Sequence, residues 1–205
     1  SGQQLELLTR EAPPGDAILS EEGRDDLARL DAERVWIIDP VDGTREYGEG
    51  RTDWAVHVAL GIDGVPAIGA VALPGLGLVL RSDQPSPLPA PPAKPRMVVS
   101  RPRPAAEALA VAEAIGAELI PMGSAGAKAM AIVRGEAEIY LHTGGQYEWD
   151  SCAPVAVAAA FGLHVSRVDG TPLVYNQRDT YMPDLLICRQ QWAAPVLDLA
   201  RELGA

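Results

Sequence analysis

Two aspartates, Asp39 and Asp42, stand at the end of the apolar run Trp36-Ile37-Ile38, and Gly43-Thr44 follow at once. Hard divalent cations take clustered oxygen ligands, and phosphate oxygens take outward-pointing backbone N–H groups. A stretch that offers both points to metal-assisted phosphate chemistry. Pro40, between the aspartates, interrupts regular strand or helix. Asp39 is expected at the carboxyl end of a buried strand, where open sheets place ligands. Gly43 permits a tight turn, and Thr44 is expected to cap a helix whose N–H groups face a phosphate. A plain turn followed by a helix cap is the structural alternative, and the site is favoured over it.

Other segments carry groups of suitable type. Glu21-Glu22 follow a short strand expected over 17–19 and could aim a third carboxylate at the same place, although two adjacent glutamates taken alone usually mark a solvated face. Trp149-Asp150 fall at a strand-to-helix junction, with Asp150 expected as the N-cap of a helix over 150–161. That is a sufficient structural role, and a carboxylate so placed can also ligate a metal. Gly123-Ser124-Ala125-Gly126-Ala127-Lys128 open a helix after a strand and can present N–H groups and an ammonium to phosphate or ribose. The run lacks the phosphate-loop spacing, and alone it reads as ordinary helix packing with an exposed lysine. His57, His142 and His164 share no close spacing and read as core or surface histidines, His57 and His164 in strands. Cys152 and Cys188 lie outside any metal-ligand spacing, and reduced buried thiols are preferred over a disulfide. Neither a persuasive Ser-His-Asp order nor a cysteine with a nearby base argues for covalent catalysis.

These groups need a scaffold, and hydrophobic periodicity outlines one. Residues 3–10 read as the tail of an amphipathic helix stopped by Pro13-Pro14-Gly15. Residues 34–39 form an apolar, β-branched strand, and 54–60 alternate. Asp63-Gly64 turn the chain into 65–73 and Pro74-Gly75 into 76–81, giving an antiparallel meander. The proline-rich stretch 85–95 reads as a loop or linker, in preference to a ligand for a proline-binding domain. Strands at 97–100, 118–122, 137–142, 163–168 and 185–188 then alternate with helices at 104–115, 125–133, 150–161 and 192–203. Pro154 is expected in the first turn of the third of these helices and Gly162 at its end. The fold class is therefore α+β over 1–84, which holds the metal motif, and α/β over 97–205, joined through 85–96 into one catalytic unit.

The 205 residues suffice for one large domain or two small ones, and 47% hydrophobic content favours a folded chain. A formal charge of −11 argues against nonspecific binding to nucleic acid or an anionic membrane. A small anionic substrate stays compatible, because bound cations reverse the local potential. The apolar run 153–163 is shorter than the roughly 18 residues that a membrane span needs, and 3–8 show no secretory signal pattern. The cytoplasm is the expected location.

In their order along the chain, Ser20-Glu21-Glu22, Trp36-Ile37-Ile38-Asp39-Pro40-Val41-Asp42-Gly43-Thr44, Gly123-Ser124-Ala125 and Trp149-Asp150 resemble the inositol monophosphatase-like superfamily of magnesium-dependent, lithium-sensitive phosphatases. The aspartate motif is specific, the others persuade mainly by order, and the resemblance covers nearly the whole chain. Within the superfamily, Glu148-Trp149-Asp150, Lys128 and Pro172-Leu173-Val174-Tyr175-Asn176 look most like the CysQ-type 3'(2'),5'-bisphosphate nucleotidases of sulfur assimilation. The resemblance implies a layered αβαβα sandwich, two or three Mg2+ ions and a small phosphorylated substrate, a nucleotide, and it admits a homodimer. It makes Glu21, Asp39, the Val41 carbonyl, Asp42 and Asp150 the metal ligands, with Glu22 beside the first. Glu21, Asp42 and Thr44 would be catalytic, with Glu21 and Thr44 orienting the attacking water. Asp42, Gly43, Thr44 and Arg45 would receive phosphate, while Ser124, Ala125 and Lys128 would lie toward the nucleotide.

The implied reaction removes the 3'-phosphate of 3'-phosphoadenosine 5'-phosphate; inositol 1-phosphate and fructose 1,6-bisphosphate are alternative substrates. Family members carry a helical segment and a loop upstream of the glutamate motif that help hold the water and a further metal. This chain starts partway through that region. A catalytically silent protein that binds phosphorylated ligands is therefore the alternative of another class.

Overall fold

Strand register explains how residues distant in sequence reach one corner of the molecule. The computed structural model describes residues 13–25 and 27–204, so the helix expected over 3–10 lies outside the described residues. The meander forms a five-stranded sheet in sequence order: β1 (Ala17–Ser20), β2 (Arg34–Asp42), β3 (Ala55–Ile62), β4 (Val65–Leu73) and β5 (Leu78–Arg81). β1 runs parallel to β2, and each later pair is antiparallel. Asp63 and Gly64 both take positive φ, as the expected two-residue hairpin turn requires.

The second sheet holds β6 (Arg96–Ser100), β7 (Glu118–Met122), β8 (Ile139–His142), β10 (His164–Ser166) and β12 (Leu185–Cys188) in the order β10-β12-β8-β6-β7. A short ribbon pairs β9 (Gln146–Tyr147) with β11 (Tyr181–Met182). The helices are α1 (Thr44–Gly48), α2 (Ala106–Ile115), α3 (Ala125–Val133), α4 (Glu148–Ala160) and α5 (Gln190–Glu202).

Side-chain alternation shows how the layers stack. On β6, Val98 joins one apolar cluster while Met97 and Val99 join another; on β12, Leu185 and Ile187 face one way and Leu186 and Cys188 the other. The second sheet is therefore covered on both faces, which its near-continuous apolar strands demand. One cover is the pair α3 and α4, built of Ala, Val and Met and buried almost all round. A helix apolar on every side must be packed on every side, and these two fill the space between the sheets. The other cover is α2 and α5, whose inward stripes include Val111, Ala112, Val196 and Ala200. Each fully buried Leu or Ile here contributes about 1.5–3 kcal/mol relative to exposure.

Several boundaries differ from expectation for identifiable reasons. α4 begins at Glu148, not Asp150, because the Glu148 N–H finds the Thr180 carbonyl across the ribbon at 2.9 Å. Asp150 is thus the third residue of the helix rather than its cap, and Pro154 falls in its second turn, not its first. The strand expected over 163–168 is cut to β10, because the Arg167 N–H turns to the Thr171 carbonyl at 2.8 Å. Thr44 is the first residue of α1, and Gly43, at φ 87°, holds the cap position.

Candidate metal centre

On β2 the inward face runs Val35, Ile37, Asp39, and on β3 it runs Ala55, His57, Ala59. Asp39 is paired directly with His57, so the two side chains share that face. Strict alternation would then turn Asp42 outward. A bulge between Asp39 and Asp42 inserts one residue, shifts the register, and pairs Asp42 with Ala55, returning its carboxylate to the inner face. Pro40 and Val41 form that bulge, where a missing N–H costs no ladder bond.

Opposite this strand end stands the first turn of α4, which brings Asp150. Asp39, Asp42 and Asp150 each offer a carboxylate oxygen, and the three oxygens lie within 4.8 Å of one another. Asp39 Oδ1 accepts the Val41 N–H at 3.0 Å, and Asp150 Oδ2 accepts the Tyr147 N–H at 2.7 Å. Glu21 is exposed beyond β1, tied by its own N–H to the Ile38 carbonyl at 3.4 Å; its carboxylate is not among the three clustered ones. Its charge nonetheless reaches both Asp39 and Asp150. Glu22, Thr44 and Arg45 are exposed nearby in sequence, and Val41 and Gly43 are half-buried.

Asp42 is the most constrained member. Its carboxylate accepts the Ser124 hydroxyl, the Gly126 N–H at 2.7 Å and the Ala125 N–H at 3.2 Å, so it sits on the start of α3. The N–H groups of 125 and 126 thus serve a protein carboxylate at the positive end of the helix. Ser124 adopts φ 42°, an uncommon backbone for a non-glycine, and its hydroxyl also caps the Ala127 N–H at 3.0 Å. Gly126 is required by crowding: a Cβ there would lie 2.0 Å from His57 Nε2. Lys128 is buried, against the expectation of an exposed lysine. Its ammonium donates to the carbonyls of Gly123 and Ser124 at 3.1 and 2.8 Å and lies 5.4 Å from the centroid of the Tyr140 ring.

His57 is the site component that sequence reading passed over. Fully buried, it places Nδ1 2.9 Å from the Trp149 carbonyl and Nε2 3.3 Å from Asp42 Oδ2, the latter a charge contact bent away from hydrogen-bond geometry. Two more carboxylates support the same loop: Asp53 Oδ2 accepts the Gly123 N–H at 2.7 Å, and buried Glu46 packs against Gly123 while pairing with Arg101 at 2.9 Å.

The charges respond to this crowding. Burial, only partly offset by His57 and reinforced by Asp42, Glu21 and Asp150, takes Asp39 up to about 8. Burial and then Asp42 take Asp150 up to about 7. Burial also works against the Asp42 charge, but His57, Ser124 and the Gly126 N–H outweigh it and bring Asp42 down to about 2. For His57, burial is outweighed by Asp42, with Asp39 adding, and the ring is raised to about 9. Clustered carboxylates held in competition for protons are a donor set that suits a hard divalent cation.

Comparisons with known proteins place the chain in a family. Residues 4–203 match the model of the inositol monophosphatase family, and the chain belongs to that family. It is 53% identical over 194 residues to the 3'-phosphoadenosine 5'-phosphate phosphatase of Mycobacterium bovis, covering 90% of this chain and 72% of that one. The protein of the same name from Mycobacterium leprae is 50% identical over 204 residues, covering 93% and 75%. Among solved structures, CysQ from Bacteroides thetaiotaomicron superposes with a TM-score of 0.79 at 25% identity, over 92% of this chain and 82% of that one.

Proposed function

We propose that the chain is a magnesium-dependent phosphatase that hydrolyses the 3'-phosphate of 3'-phosphoadenosine 5'-phosphate. The convergence of Asp39, Asp42 and Asp150 carries this reading, and identities of 53% and 50% to the mycobacterial enzymes support the substrate. The residues fit magnesium because every clustered donor is a carboxylate oxygen. Bound there, magnesium supplies charge neutralisation for the phosphate and a lowered pKa for water.

The chain's own part is positioning. Asp39, Asp42, Asp150 and the Val41 carbonyl hold the cation, joined by Glu21 from the loop beyond β1. Asp42 is immobilised by α3 and His57, so the three-aspartate part of the site is assembled before ligand arrives, which limits the reorganisation that catalysis would otherwise require. Glu21 and the Thr44 hydroxyl orient water for in-line attack on phosphorus, and no phosphoenzyme forms. Gly43, Thr44 and Arg45 receive the scissile phosphate; Ser124, Ala125 and Lys128 form the wall toward the nucleotide. With the Ala125 N–H given to Asp42 and the Lys128 ammonium donating to the Gly123 and Ser124 carbonyls, that wall acts by shape more than by free donors.

Among the described residues no helix is long and apolar enough to cross a membrane. The proposed setting is cytoplasmic sulfur assimilation, with inhibition by lithium and a chain able to act as a homodimer. The test is phosphate release with magnesium, with and without lithium, from 3'-phosphoadenosine 5'-phosphate, inositol 1-phosphate and fructose 1,6-bisphosphate. Preferred turnover of the nucleotide is expected. Preferred turnover of inositol 1-phosphate would move the assignment to a sister activity, and magnesium-dependent binding without release would make the chain a binding protein.

A further inference from the structure

The helix that carries Asp150 and the loop that carries Glu21 are far apart in sequence, and a polar strap joins them. Glu148, fully buried at the first position of α4, accepts the Asn176 N–H at Oε2 and the Gln177 N–H at Oε1, both at 2.7 Å. Asn176 sits at φ 59°, a left-handed backbone that asparagine tolerates better than most residues, and so turns both amides onto one carboxylate. Its side chain exchanges two hydrogen bonds with Arg29: Arg29 Nη1 donates to Asn176 Oδ1 at 2.8 Å, and Asn176 Nδ2 donates to the Arg29 carbonyl at 2.9 Å. The other guanidinium nitrogens of Arg29, Nε and Nη2, reach Asp25 Oδ2 at 3.1 and 2.7 Å. Beside Asn176, the Tyr175 N–H is tied to the Gly64 carbonyl at 2.9 Å, and the Tyr175 hydroxyl lies 3.1 Å from Ser151 Oγ.

Arg29 is only 2% exposed. A guanidinium taken out of water costs free energy unless its partners are well placed, and here its donors are spent on joining two segments rather than on filling a core. The described residues of the loop it anchors are held mainly by backbone bonds at the near end. Residues 21–25 are all exposed, and the near end is fixed by the Glu21 N–H on the Ile38 carbonyl and the Gly23 N–H on the Ser20 carbonyl at 3.1 Å. A segment with so few buried apolar contacts opens at low cost. The far end is fixed by Arg29.

We infer that Arg29 and Asn176, seated on Glu148, are positioning residues: they hold the Glu21 loop against the end of α4 that carries Asp150, and thereby set the cation affinity of the site. This rests on the metal-centre reading proposed above. Neither residue belongs to the carboxylate cluster; each acts through the placement of Glu21.

The test titrates magnesium by calorimetry into metal-free wild type, Arg29→Ala, Asn176→Gly, the double variant and Asn176→Asp. Hydrogen exchange of amides 21–25 is followed in the same metal-free samples. Asn176→Gly keeps the left-handed backbone and both amides on Glu148 while deleting the Arg29 contact, so it decides the matter if Arg29→Ala does not fold. Each single deletion is expected to weaken magnesium binding about 10–100-fold, the range for groups that orient metal ligands. Exchange at 21–25 should quicken, and the double variant should be no weaker than the worse single one. Asn176→Asp keeps an acceptor for Nη1 and should restore near-wild-type binding. A folded Asn176→Gly chain with wild-type affinity and unchanged exchange would overturn the strap. A wild-type chain that takes up no magnesium would overturn the metal reading itself, and the strap with it.

Discussion

Around the outer face of the second sheet, Met97, Val99, Ile139, Leu141, Leu186 and Cys188 meet Val111, Ala112, Val196 and Ala200 from two covering helices. At the inner end of β2 and β3, burial is just as deep, but the buried groups are Asp39, Asp42 and His57, with Asp150 close by. The first region lowers the free energy of folding by removing hydrocarbon from water, a term indifferent to metal ions and nearly so to pH. The second pairs Asp42 with His57 and leaves Asp39 and Asp150 in a poorly solvated corner, where their charged forms are costly until a cation neutralises them. The apolar layers thus stabilise a corner that is arranged for a ligand rather than for itself.

The largest separation of the two regions should come from Asp42→Asn. Removing this charge is expected to lower magnesium-dependent phosphate release by more than about a hundredfold, above the range for groups that merely orient a metal ligand, while circular dichroism shows a folded chain. Near-normal turnover would mean that Asp42 has no part in the reaction. Leu186→Ala, in the apolar region, should do the reverse. Leu186 is fully buried, and its truncation should cost about 2–5 kcal/mol in denaturant unfolding, with turnover per folded molecule unchanged.

Gly126→Ala sits at the boundary. The new methyl would meet His57 Nε2 at 2.0 Å, so the ring must move away from Asp42. Overpacking of this kind costs about 1–3 kcal/mol, and turnover should fall as well, unlike in Leu186→Ala. A variant that loses stability but keeps full turnover would show that His57 serves packing alone.

The smallest effect is a pH slope confined to the charged corner. Burial raises the Asp39 and Asp150 carboxyls to about 8 and about 7 from an ordinary 3.8, and Asp42 raises the His57 ring to about 9 from 6.5. In each case the folded chain holds a proton that the unfolded chain has already released. Stability of the metal-free protein should therefore fall as pH rises from about 4 through 9. Asp42 works in the other direction, contributing stability that is lost only as pH falls toward about 2. Magnesium held by these carboxylates would replace their protons, so a saturating concentration should flatten the upper part of the slope. Thermal melts at pH 6 and 8.5, with and without magnesium, measure it directly.

The same contrast sets what could be read from the chain alone. Apolar periodicity is a local signal, so the sequence marks β4, β7, α3 and β12 to the residue, and the Asp39–Asp42 motif stands out because its unusual residues are contiguous. What stayed hidden depends on register and on partners far along the chain. His57 gains its role only because β3 pairs it with Asp39. The bulge that turns Asp42 inward has no local mark beyond Pro40. Lys128 looks like a surface lysine until α3 is seen to be buried all round. The start of α4 is not legible locally because the partner of its first amide, Thr180, lies over thirty residues away beside a ribbon too short to read.

The most direct measurement is anomalous diffraction from crystals of the active protein soaked in manganese, a stand-in for magnesium. A peak bonded to carboxylate oxygens of Asp39, Asp42 and Asp150 is expected. Manganese bound elsewhere, with those three side chains unligated while the crystals still release phosphate, would contradict it.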